Sequence, residues 1–165
     1  MYCFLLLSLV LIFFNHRVYV SYIEQSEIIR DINSGTFNFL DSSENMEIDF
    51  PNVSVTSMNL KSVKVKYLLK NKKIDEALNL INSIKYDPLK MSEAQKAEIY
   101  FGKSELDSMF NSSKIAFEAL PLNQIHLLWY LKSLTTFKKY SEITKIYEKY
   151  KDKSDTTKWF YFYFT

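Results

Sequence analysis

The chain has 165 residues, 47 % hydrophobic and 16 % aromatic, with only two glycines and three prolines. So little glycine argues against all-β folds and phosphate-cradling loops, while the abundance of Lys, Glu, Asn, Leu and Ile reads as helix. A net charge of +2 with acids and bases interspersed gives no basic stripe for nucleic acid, and the single cysteine, Cys3, excludes disulfide frameworks and cysteine metal sites.

The first predicted element is apolar. Tyr2 to Phe14 carries one polar residue, Ser8. Extended through Val18, Tyr19, Val20, Tyr22 and Ile23 as a helix, the run reaches about 33 Å, enough to cross a hydrocarbon core if Arg17 snorkels and the two tyrosines sit in the aromatic belt. Residues 2–23 are thus expected to enter a membrane. The segment reads either as an anchor or as the last span of a longer protein. The rival reading is a cleaved signal peptide on an exported soluble repeat protein, but no basic flank precedes the run and "NHRVYVSY" offers no small-residue cleavage site. His16 and Arg17 slightly favour a cytoplasmic side for the remainder of the chain.

"SYIEQSEIIRDIN" continues as helix, stopped by Ser34-Gly35, so residues 1–33 form the membrane helix and its extension. Residues 34–57 lack helical periodicity and read as an extended linker. "MEIDF" and "VSV" within it alternate as short strands do.

From residue 58 the pattern becomes repetitive. Ile74, Ala77, Ile81 and Ile84 share one helix face. Leu106, Met109, Ser113 and Ala116 hold the same offsets, and so do Tyr140, Ile143, Tyr147 and Tyr150. The period is 32 residues from Ala77 to Met109 and 34 from Met109 to Ile143. Each of these helices comes after another (Leu60 to Lys70, Ser92 to Lys103, Asn123 to Phe137) across a short polar turn. The units run over 58–90, 91–121 and 122–153, with a partial unit at 154–165, in one domain spanning 58–165.

Helical hairpins at this period resemble tetratricopeptide repeats. Where that family has a small residue and then an aromatic in the first helix, the second unit has Ala97 and Tyr100, the first Val65 and Leu68, and the third Leu131 and Leu134. At the small position of the second helix, Ala77 fits. Met109 and Ile143 are larger and imply wider helix spacing. The resemblance implies an all-α, tetratricopeptide-like solenoid behind one N-terminal transmembrane helix. It also implies a concave face lined by the first helices, on which the alignment places Asn59, Ser62, Lys66, Leu69, Glu98, Phe101, Lys132 and Thr135 as partner-binding residues.

A second resemblance covers Asp49 to the end. "FPNVSVTSMNLKSVKVKYLLKNKKIDEALNLI", "SEAQKAEIYF" and "LDSMFNSSKIAFEALPLNQIH" resemble the tail after the last membrane helix in Bacteroidetes-type O-antigen ligase/polymerase proteins. It implies a bacterial membrane protein of surface-polysaccharide assembly, and carries over no glycan-transfer residue.

Chemistry-bearing patterns are sparse. His16 and His126 are the two histidines, no HExxH or glycine-rich loop occurs, and Asp75-Glu76 sits where carboxylates favour a helix N-terminus. His126, in the first turn after Asn123, reads as a packing or surface residue. The lysines Lys64, Lys66, Lys70, Lys72 and Lys73 read as a solvated helix face. The expectation is a non-enzymatic module that binds a protein or peptide, with no cofactor, metal or nucleic acid. It is an enzyme only as a piece of a larger glycan-transfer protein.

Overall fold

The computed structural model describes residues 2–37, 54 and 58–153. Among them it is all-helical, with seven helices, no strand and 77 % of residues in helix. The alternating segments of the linker, Ser54 excepted, and the aromatic stretch 154–165 lie outside the described residues.

The chain divides into two compact units, Met1–Ile84 and Lys85–Thr165. The first hairpin therefore groups with the N-terminal helix, where the sequence alone placed it at the head of one domain from residue 58. The physical reason is a contact between that helix and the hairpin, made by residues far apart in sequence.

In the first unit α1 spans Tyr2–Ser34, α2 Leu60–Lys70 and α3 Ile74–Asn82. At 33 residues α1 is about 50 Å long. It ends at Gly35, whose positive φ of 70° suits the absent Cβ and lets its N–H reach the Ile32 carbonyl at 3.1 Å. The two halves of α1 differ. Its large apolar side chains from Phe4 to Ile23 are exposed, whereas Ser21, Gln25, Ile28 and Asp31 are buried. Ile28 packs with Leu60, Val63 and Tyr67 of α2, and Ile32, Phe37 and Met58 lie around them. The Tyr67 hydroxyl donates to Asp31 Oδ2 at 2.9 Å, and Thr36 donates to Asp31 Oδ1 at 2.6 Å. Burial and the neighbouring Asp31 carboxylate push the Tyr67 phenol well above its ordinary value, so it stays a donor. α2 and α3 also pack against each other, and Val65, Ala77 and Ile81 are buried.

In the second unit α4 spans Met91–Gly102, α5 Leu106–Ala119, α6 Gln124–Thr136 and α7 Tyr140–Tyr150. Each packs on the next, and α4 also touches α6. The core between α5, α6 and α7 is aromatic. Phe117 stacks on Tyr130 with centroids 4.8 Å apart, Tyr150 meets Phe117 edge-on, and Leu131, Leu134 and Ile143 fill the rest. One polar chain crosses it: Ser113 donates to Ser133 Oγ at 2.9 Å, and Ser133 donates to the Tyr130 carbonyl at 2.8 Å.

The three hairpin turns are built alike. Lys72, Ser104 and Lys138 each take a left-handed conformation, with φ of 61°, 60° and 56°. Their N–H groups donate to Leu69, Phe101 and Thr135. The next N–H groups, of Lys73, Glu105 and Lys139, reach back to Leu68, Tyr100 and Leu134 at 2.8–2.9 Å. That double closure is a Schellman motif, which satisfies helix-end carbonyls at the cost of a residue in the left-handed region.

Candidate interaction surface

The residues assigned to a concave face fall in both units, and each unit treats its own set differently. In the first unit Asn59 and Ser62 are buried, at 5 % and 0 % exposure. Asn59 is the N-cap of α2, its Oδ1 accepting from the Lys61 N–H at 2.9 Å. An N-cap residue satisfies the helix's first orphan donors, so its side chain turns onto its own backbone. Lys66 and Leu69 are half-buried. The surface this set offers therefore comes from Lys66 and Leu69.

In the second unit the structure brings two of the assigned residues together and adds a third. Phe101, in the last turn of α4, and Trp129, on α6, have ring centroids 6.1 Å apart. The Lys132 ammonium lies 3.6 Å from the Phe101 centroid and 4.8 Å from that of Trp129. A cation held over two ring faces gains about 0.5–1 kcal/mol at an exposed site. The repeat alignment does not single out Trp129. The signal that finds it is its spacing: Ile125, Trp129 and Lys132 recur at four- and three-residue steps and so lie on one stripe of α6, with Leu122 in the turn just before the helix. Leu122, Ile125 and Phe101 are exposed, which gives this stripe an apolar surface edged by one lysine. Glu98 and Thr135 are exposed too, Thr135 donating its hydroxyl to the Leu131 carbonyl at 3.0 Å.

His126 faces inward from α6, about a quarter-turn around the helix from that stripe. Asn123 caps that helix by accepting from the Ile125 and His126 N–H groups at 3.0 and 3.3 Å, which turns the imidazole inward. It is fully buried, with Nε2 3.3 Å from the Met91 sulfur. Asp87 holds the start of α4 nearby, accepting from the Met91 and Ser92 N–H groups and from the Ser92 hydroxyl. Burial lowers the His126 pKa, opposed by the Ala116 carbonyl and the charge of Asp87. A neutral imidazole against a thioether is a packing arrangement. Among the described residues no three His, Cys, Asp or Glu side chains converge as a metal site. The surface cluster with the most chemical character is Phe101–Trp129–Lys132, with Phe101 exposed and Trp129 and Lys132 half-buried, and its chemistry is that of contact. No family model matches the chain, and no curated protein and no solved structure matches it.

Proposed function

We propose that this chain is a membrane-tethered scaffold whose helical hairpins form a tetratricopeptide-like array that holds a partner protein. The observation that carries the reading is the surface of α1. Fifteen large apolar side chains between Phe4 and Ile23 are exposed, and none of its most apolar window is buried. Burial of each is worth about 1.5–3 kcal/mol, so tens of kcal/mol favour hydrocarbon over water around this helix. The same helix then runs without a break into the buried contact of Asp31 with Tyr67. In this reading the first hairpin is fixed to the end of the membrane span.

The repeated Schellman turn supports the array, because Lys72, Ser104 and Lys138 recur with the 32- and 34-residue spacing of the sequence units. The Phe101–Trp129–Lys132 cluster is the contact surface, suited to an apolar segment carrying an acid that draws Lys132 off the rings. The role is binding rather than catalysis. The resemblance of Asp49 to Thr165 to the tail of O-antigen ligase/polymerase proteins supports a role for the scaffold in bacterial surface-polysaccharide assembly.

The test is to express the full chain, wash the membranes with alkaline carbonate, and weigh the chain by mass spectrometry. Retention at the intact 19.6 kDa supports the anchor. A shortened chain in the soluble fraction would mean that residues near the N-terminus act as a signal, and the tether reading would fall.

A further inference from the structure

A lone membrane anchor leaves one feature of α1 unexplained. Within the proposed span, residues 2–23, Ser8 and Asn15 stand seven residues apart, Asn15 opening the polar Asn15-His16-Arg17 step, and Tyr22 comes seven more along. Seven residues are close to two helical turns, so the three lie within about 20° of each other per step, with Phe4, Leu11 and Val18 beside them in the a/d pattern of a paired helix. Both polar groups point to the outside. Ser8 donates to the Phe4 carbonyl at 2.9 Å and is exposed. Asn15 donates one N–H to the Leu11 carbonyl at 2.9 Å, and that is the only hydrogen bond of its carboxamide among the described residues. Its Oδ1 and its second N–H are left facing the surroundings.

The stripe is also unobstructed. Ser21, Gln25, Ile28 and Asp31 mark the side of α1 that the folded unit covers. At 100° per residue that side is centred roughly 130° around the helix from Asn15. Packing against the hairpin therefore leaves the Ser8–Asn15–Tyr22 stripe open along the whole span. In hydrocarbon, where no water competes, an unsatisfied carboxamide is costly, and a second helix that supplies the complementary donor and acceptor removes the cost.

We propose that α1 pairs with α1 of a second copy of this chain as a parallel membrane dimer, closed by reciprocal Asn15–Asn15 hydrogen bonds. A second copy is the occupant because the asparagine is complementary to itself: each Oδ1 accepts the N–H that the other Asn15 has free. All copies inserted by one route share one orientation, so the pair is parallel and each stripe residue meets its own counterpart across the two-fold axis. A single asparagine at an a position is also the residue that fixes register in a two-stranded pair. The dimer would present two copies of the scaffold side by side. This inference rests on the membrane reading, and its test separates the two.

The full chain, with Cys3→Ala to remove the native thiol, is reconstituted in phosphatidylcholine vesicles with one new cysteine at a time and oxidised with copper phenanthroline. Leu11→Cys, on the stripe, should give at least about fivefold more disulfide dimer than Val10→Cys or Phe13→Cys, which lie on the far side. Asn15→Leu, added to Leu11→Cys, should lower that yield about fivefold, the scale of one interhelical hydrogen bond, and Asn15→Gln should restore most of it. Equal or absent cross-linking at all positions, in a chain that carbonate does not extract, overturns the pairing and leaves the anchor standing. Release of the chain by carbonate overturns both.

Discussion

The two units are stabilised by different means. The second holds its helices around an interior of stacked and edge-on rings, Phe117, Tyr130 and Tyr150, with leucines between them. The first has a small apolar cluster and closes it with a polar contact, Tyr67 to Asp31, made between helices whose contacting residues are 36 apart. The second unit is thus built from neighbouring helices, each packed on the next. The first depends on α1, which the proposed membrane also holds. Burial of apolar area is non-directional and tolerates substitution by similar volumes, whereas a buried hydroxyl–carboxylate pair requires both partners. Damage to the second unit should therefore scale with volume removed, and damage to the first with polar groups orphaned.

The largest expected effect tests the second unit. Leu134 is fully buried in the aromatic core, so Leu134→Ala should cost about 2–5 kcal/mol, read from urea unfolding of the full chain in detergent. Hydrogen exchange should show faster opening of α5–α7 while the amides of α2 keep their protection. Equal loss of protection in α2 would mean that the two units share one unfolding transition.

The next effect tests the first unit. Asp31→Ala leaves the Tyr67 hydroxyl with only the 3.4 Å approach to the Ile28 carbonyl, and should cost about 1–3 kcal/mol. Adding Tyr67→Phe removes the orphaned donor as well, so the double variant should recover part of that loss. A double variant no better than Asp31→Ala would show that the carboxylate acts mainly through partners other than Tyr67, Thr36 among them.

Much of this arrangement is legible in the sequence, and the parts that are not have a common cause. Helix α2 starts and stops at Leu60 and Lys70, and α7 at Tyr140 and Tyr150, where apolar periodicity and polar turns place them. Such signals are local. The partner of Tyr67 is set by a contact across 36 residues, and no spacing rule announces Asp31 as that partner. For the same reason the first hairpin reads as part of the repeat domain until its packing on α1 is seen. Asn59 shows a local signal of another kind. A concave-face position in the alignment, it stands directly before Leu60, where an asparagine is first of all a cap. Trp129 is readable from its stripe but not from the repeat alignment.

A smaller effect comes from pH. His126 is buried and its pKa lies below the ordinary value near 6.5, so the folded chain keeps the imidazole neutral while the unfolded chain takes up a proton. Stability of the second unit is fully present above about pH 6.5 and falls as the pH drops from there toward the folded-state pKa. His126→Leu should flatten that slope between about pH 6.5 and 5 without changing the response of the first unit, whose described residues carry no buried histidine. An unchanged slope in the variant would show that His126 is not the source of the acid sensitivity.

The smallest effect distinguishes the units least, and is informative for that reason. Lys72 lies in the first unit and Ser104 and Lys138 in the second, yet all three close the same Schellman turn with a side chain that disfavours the left-handed region. Glycine at any one of them should relieve that strain, and after its own entropic cost should stabilise by about 0.5–1 kcal/mol. Measured one at a time, three equal gains would mean that the turn is a unit independent of what its helices pack against, as expected of repeats. A gain at Ser104 and Lys138 with none at Lys72 would instead tie the first turn to α1: Lys70, two residues before it, sits over the Phe37 ring at 5.2 Å, and Phe37 in turn packs edge-on against Tyr67.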